Sequence, residues 1–211
     1  LNVVEHGVDN TGATDVSEKL TELFAKAHNE NYTKVVFPDG IYKIDSYVDI
    51  KAPYERDKSL CIQSLNQYGA TFDITGNDND REDSRSGLFI LNPGEENSIV
   101  YNVVIDGFKF ELKEKALEGG TETSNSAGIN MQSSTTFTLS NSVFRNLKFN
   151  GGYYGINLNQ EAHNCTIQNI TCTNQQSAIS VNTSVNNIID TVYCNNPGNI
   201  DLYAGSGTVQ N

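Results

Sequence analysis

Basic side chains are scarce in this sequence. Lys and Arg number 14 against 26 Asp and Glu, the formal net charge is −12, and the basic residues gather into no patch. Such a chain repels a phosphate backbone at long range, so nucleic acid is not an expected partner. Long apolar runs are missing as well. No stretch reaches the ~20 residues that a membrane-spanning helix needs, and no membrane insertion is expected. The opening residues lack the basic, apolar, small-residue order of an export signal. The chain starts at Leu1 rather than Met, and the expectation is a processed product or a piece of something longer. Cysteine is limited to four residues, and no disulfide framework is expected from them. The acidic stretch GNDNDREDSRSG (76–87) lacks the Gly at position six and the Glu at position twelve of a calcium loop counted from Asp78, so it reads as a solvated loop. Neither a metal nor a cofactor is expected.

What remains is 211 residues with 37% hydrophobic content, enough for one sizeable core. Near the start, Asp15 and Glu18 stand three residues apart, which reads as a carboxylate variant of the capping box. A helix is expected from about Val16. Its apolar residues Val16, Leu20, Leu23, Phe24 and Ala27 share one face, while Glu18, Lys19, Glu22 and Lys26 point away. His28 falls at the helix end, where a cation suits the dipole. KVVF, PDG and IYKI then read as strand, corner and strand. No second convincing helix follows.

The rest of the chain repeats. VVIDGFKF (103–110), SVFRNLKF (142–149), CTIQNITC (165–172) and NIIDTVYC (187–194) carry apolar residues at the same offsets, and Ile105, Phe144, Ile167 and Ile189 recur at intervals of 39, 23 and 22 residues. A second series, GINM, GINL, AISV and NIDL, places Ile129, Ile156, Ile179 and Ile200 at intervals of 27, 23 and 21. Within each octet two apolar positions lie three apart, which a flat strand with its period of two does not allow, so the chain turns a corner there. Gly107, Asn146, Asn169 and Thr191 occupy the corner. Gly and Asn enter the left-handed region cheaply, and Thr191 is the exception. A unit of about 22 residues of short strands and left-handed corners, too short for a helical crossover, predicts a parallel β-helix whose coils stack at roughly 4.8 Å. Phe110, Phe149, Cys172 and Cys194 should form one interior file, and Cys165, Cys172 and Cys194 are expected as buried free thiols. The insertion ELKEKALEGGTETSNS (111–126) accounts for the long first interval. The helix is expected to cover the unpaired backbone of the first coil.

GVDNTGATDVSEKL followed by KVVFPDGIYKI resembles the N-terminal signature of the pectate-lyase-like right-handed β-helix superfamily, which includes phage tailspikes, tail appendages and polysaccharide depolymerases. The family reads Gly-x-Thr-Asp-Asp, a short helix, then FPPGTY; here Val16 replaces the second Asp and Asp39 the second Pro. The resemblance covers residues 3–44, with the repeats carrying it to about 205. It implies an all-β, right-handed parallel β-helix of about six or seven coils with a short N-terminal capping helix: residues 1–50 as the cap, residues 51–211 as the coils. AGSGTVQN begins another coil, so further sequence or a second chain is expected to protect that end.

The resemblance also implies a surface polysaccharide as partner, a homotrimer, and a place on a phage tail or outside the cell. Asn130, Asn157, Ser180 and Asp201 follow the inward Ile of each unit, and Gln132, Asn159, Asn182 and Tyr203 lie two positions further on. These polar columns match sugar hydroxyls, with Tyr153, Tyr154 and Tyr203 available to stack on sugar rings. Hence Asn130, Gln132, Asn157, Asn159, Asn182, Asp201 and Tyr203 form the candidate carbohydrate face; bonding among the Asn residues alone is the alternative. Catalytic residues are not identifiable. Asp106 and Asp190 lie three coils apart, on the order of 14 Å at the strand spacing, and Arg145 next to Asp106 reads as a structural ion pair. Glu161 and His163 share a loop and offer an acid and a base. The clustered Asp of pectate lyases and the Asn-Thr-Asp, Asp-Asp and Gly-His-Gly motifs of polygalacturonases are absent. A polysaccharide lyase or glycoside hydrolase whose acids lie elsewhere, and a stalk without ligand, are the competing readings.

Overall fold

The structure is a computed structural model that describes residues 1–76, 86–91, 99–112, 126–131, 136–158, 161–175, 177–181, 184–195, 202–204 and 207–210, with the backbone alone at 86, 91, 126, 184, 202–204 and 207–210. The described chain is all-β apart from one α-helix, α1 (Ser17–Asn29), and a single 3-10 turn at Val4–His6. Every strand pairing is parallel, in one sheet of 14 strands and another of six. Two large parallel sheets with one helix are compatible with a parallel β-helix.

The register follows the sequence repeats. Phe110 pairs with Phe149, Phe149 with Cys172 and Cys172 with Cys194, and the file continues through Phe72 to Tyr42. A second file runs Val35, Ile62, Ile105, Phe144, Ile167, Ile189. Both point inward; Tyr42, Phe72, Phe110, Phe149 and Cys172 are buried, and Ile189, Val192 and Cys194 pack against the same core half-buried. In the six-stranded sheet Val48, Leu88, Ile129, Ile156 and Ile179 are in register.

Left-handed residues make the corners. Gly107, Asn146, Asn169 and Thr191 have φ of 88°, 53°, 54° and 54°, so Thr191 takes the turn in spite of its branched side chain. Their neighbours Phe144/Leu147 and Ile167/Ile170 can therefore both face the core within one continuous strand. A second corner column went unrecognised in the sequence: Asn102, Asn141, Asn164 and Asn186 have φ between 52° and 55°. The amides also tie neighbouring strands together, Asn146 donating to Asp106 Oδ1 at 2.7 Å and Asn169 to Asn146 Oδ1 at 2.7 Å.

Beside the strand Tyr47–Lys51 the helix buries Leu20, Leu23, Phe24 and Ala27. It also supplies acceptors to edge backbone: Asp49 N–H donates to Thr21 Oγ1 at 3.1 Å and Ser46 N–H to Ser17 Oγ at 3.3 Å. The helix starts at Ser17, one residue later than expected. Asp15 Oδ1 accepts from the N–H of Ser17 at 3.0 Å and of Asp45 at 3.1 Å, and Glu18 makes no return bond among the described residues. The expected capping box is thus a link between the helix start and the strand turn beside it. Burial works against ionisation of Asp15, yet the Ser17 hydroxyl, the Asp45 and Ser17 N–H groups and Lys43 outweigh it and hold the carboxyl below its ordinary range.

Candidate functional site

Two residues of the candidate face, Asn130 and Asn157, are described with their side chains, and they lie on the outer side of the six-stranded sheet. Alternation along Tyr154–Leu158 puts Ile156 and Leu158 inward and Asn157 on the opposite side. Asn130 pairs with Asn157 and Asn157 with Ser180, in register, and Asn157 Nδ2 donates to Asn130 Oδ1 at 3.0 Å. Both are buried, 3% and 7% exposed. The column continues to Phe89, which is buried and meets Tyr47 edge-on with centroids 6.0 Å apart. Tyr153 and Tyr154 pack edge to face at 4.5 Å where the Asn157 strand begins.

Gln132, Asn159, Asn182 and Asp201 fall outside the described residues, and for Tyr203 only the backbone is described. That backbone corrects one expectation. Leu202, not Ile200, pairs with Ile179, and Tyr203 pairs with Ser180. Tyr203 therefore joins the column of Asn130 and Asn157, which the sequence had assigned to Asp201. The path from Cys194 to the paired position takes eight residues, against seven from Cys172 to Ile179, and connection length sets register.

The acids behave as the spacing suggests. Arg145 clamps Asp106 through Nε and Nη2, each 2.9 Å from Oδ2. The next rungs of that column hold Gln168 and Asp190, with Gln168 donating to Asp190 Oδ2 at 3.3 Å. Basic and amide groups thus separate the two aspartates. Glu161 and His163 sit on a strand, Glu161–His163, rather than on a loop. Being two apart they share a face, with Glu161 Oε2 3.8 Å from His163 Nε2 and 2.9 Å from the Thr138 hydroxyl that donates to it. The Glu161 side chain is about half exposed at 54%, a contact open to water. No group of three His, Cys, Asp or Glu able to hold a metal occurs among the described residues. No helix among them is long and apolar enough to cross a membrane.

All four cysteines are free thiols. Cys165 and Cys172 are buried as expected, and Cys61 and Cys194 are half-buried. Burial pushes the Cys165 thiol up to about 11. His28 departs from its expected part as a helix-end cation. Burial, with Lys51 and Lys58 nearby, lowers its pKa and favours the neutral ring.

No protein-family model matches the chain, and no curated protein matches it. Solved structures do. A glycosyl hydrolase candidate from Parabacteroides merdae superposes with a TM-score of 0.52 at 11% identity, over 99% of this chain and 95% of that one. The surface adhesin PfbA of Streptococcus pneumoniae superposes with a TM-score of 0.54 at 14% identity, over 99% of this chain and 62% of the adhesin. At such identities the likeness speaks for the fold alone, and it agrees with a parallel β-helix.

Proposed function

We propose that the chain is a right-handed parallel β-helix that binds a polysaccharide through the outer columns of its six-stranded sheet, with residues 1–50 as cap and 51–211 as coils. The observation that carries this reading is the bond from Asn157 to Asn130. It fixes the register of adjacent strands from their outer side, at the rung spacing that a repeating ligand would meet. Gln132, Asn159 and Asn182 are the sugar contacts in this reading. Asn130 and Asn157, buried and bonded to each other, hold those strands in register, and Tyr203 and Asp201 complete the face at its far end. The fold shared with an adhesin and a glycosyl hydrolase candidate supports a polysaccharide ligand and a place at the cell surface or outside it. The narrower form, a trimeric receptor-binding part of a phage tail, is supported by the N-terminal motif.

Retention on capsular or wall polysaccharide, with release of oligosaccharide followed in the same incubation, tests the proposal. Retention without release is expected, with weaker retention after Asn159→Ala. Release would make the protein a lyase or hydrolase. Absence of both would leave a stalk.

A further inference from the structure

A cleft of about 510 Å³ opens where the end of α1 meets the segment after the strand Tyr47–Lys51. It lies within the range of small-ligand sites, ~300–1,000 Å³. Tyr54 and Tyr32 stand in its lining, 43% and 38% exposed, among the few large apolar side chains turned to water in the described chain. Tyr54 is held by His28, whose ring lies 6.0 Å away at 34°. The polar lining is fixed as well: Lys58 Nζ binds Glu55 Oε2 at 2.8 Å and Asn31 Oδ1 at 2.7 Å. Lys51, also in the lining, has no carboxylate partner among the described residues.

We propose that this cleft is a saccharide-binding site for a short neutral oligosaccharide, one sugar ring lying on Tyr54 and its hydroxyls meeting Glu55, Asn31 and the lysines. A sugar has an apolar C–H face and hydroxyls that donate and accept together. An exposed tyrosine beside anchored donors and acceptors answers both needs. Lys51 and Lys58 are balanced by Glu55 and Asp57 in the lining, so the cleft carries no net charge in a chain of net charge −12, and that favours a neutral ligand over an acidic one. His28, kept neutral, also both donates and accepts. The inference goes beyond the coil-face proposal and shares no residue with it.

The test is ligand-observed NMR on the whole chain with cello-, malto- and xylo-oligosaccharides and with an oligogalacturonate. A neutral oligosaccharide is expected to bind, at least tenfold more weakly after Tyr54→Ala and several-fold more weakly after Tyr32→Ala, with Leu65→Ala, at an exposed position outside both proposed sites, unchanged. Circular dichroism checks that the variants stay folded; both tyrosines are exposed enough to be removed without emptying the core. Binding of none of the neutral sugars, or binding insensitive to Tyr54→Ala, overturns the site. Preference for the oligogalacturonate, lost on Lys51→Gln, overturns the neutral class. Loss at Asn159 with Tyr54 without effect would support the coil face and refute the cleft.

Discussion

Phe149 lies on Phe110 with ring centroids 4.7 Å apart and planes 20° from parallel, one rung above the other in register. The stack is walled by glycines: a Cβ on Gly128 would meet the Phe149 ring at 2.5 Å and one on Gly155 at 3.0 Å. The interior file therefore depends on a large ring on one sheet and the absence of side chains on the other. Phe149→Ala removes a buried aromatic and is expected to cost about 3–5 kcal/mol. Gly128→Ala forces the ring aside and is expected to cost about 1–3 kcal/mol. Urea unfolding reads both, and a Gly128→Ala protein as stable as the parent would mean the ring has room to move.

Thr191 holds φ at 54° on an exposed part of its strand, where the equivalent positions carry Asn146 and Asn169. A branched side chain resists this region by roughly 1–2 kcal/mol. Thr191→Asn should accordingly stabilise the protein by about 1 kcal/mol, seen as a higher unfolding midpoint. A lower midpoint would show that the Thr191 hydroxyl, which donates to Asp190 Oδ1 at 3.1 Å, outweighs the backbone strain.

These two cases show what the sequence makes legible. The spacing of Ile167, Ile170 and Cys172 announces a bend inside a strand, because a flat strand cannot bury two positions that lie three apart. Asn146 and Asn169 identify the residue that bends. The same chemistry was present at Asn102, Asn141, Asn164 and Asn186, and an apolar slip of three spans it from Val100 to Val103 and from Ala162 to Cys165, but the polar Ser142 and Asn187 fill the inward place on the other two strands, so the apolar offsets do not repeat and the column was missed. Register failed at Leu202, since offsets carry no information when a connection changes length. The burial of Asn130 and Asn157 depends on what packs over them, which a period does not encode. The cleft is still less legible: Tyr32 and Tyr54 are 22 positions apart and share its lining only because the helix lies along the first strand of the smaller sheet.

The thiols should divide by burial. Cys165, buried and with its pKa pushed up to about 11, and Cys172, fully buried, are expected to resist an aromatic disulfide reagent at pH 8. Cys61, on the outer side of its strand with its thiol near Gln63 at 3.7 Å, should react first, though burial raises its pKa too. Stopped-flow titration of native protein against protein in denaturant measures this. Rapid reaction of all four in the native state would contradict the interior file.

The helix covers the first strand of the smaller sheet through Thr21, whose hydroxyl oxygen accepts the Asp49 N–H at 3.1 Å. Thr21→Val keeps the shape and removes the acceptor. Leaving a partly buried donor unsatisfied costs about 1–3 kcal/mol, so the variant should unfold at lower denaturant and its edge amides should exchange faster. Unchanged exchange at Asp49 would mean that water replaces the hydroxyl and that the helix acts by its apolar face alone.

Asp9 shows why the turn before the helix needs so particular a sequence. Its Oδ1 accepts the N–H of Thr11 at 2.9 Å and the Thr11 hydroxyl at 2.7 Å. Its Oδ2 accepts the N–H of Ala13 at 3.1 Å and of Thr14 at 2.9 Å, and the Thr14 hydroxyl at 3.0 Å. The Thr11 hydroxyl first, then the N–H groups of Thr11 and Thr14, hold the carboxyl far below the ordinary carboxylate range. In the unfolded chain it returns to about 3.9. A folded-state pKa below the unfolded one stabilises the native protein above the unfolded value, and that contribution declines as pH falls from there towards the folded one. Asp9→Asn lacks the charge and one acceptor oxygen, so it should be less stable than the parent at pH 7. The gap between the two should narrow steadily below about pH 4, as the parent loses what the variant never had. Denaturation midpoints of both proteins from pH 7 to pH 2 measure the gap, and a gap that stays constant over that span would show that the carboxylate does not organise the turn.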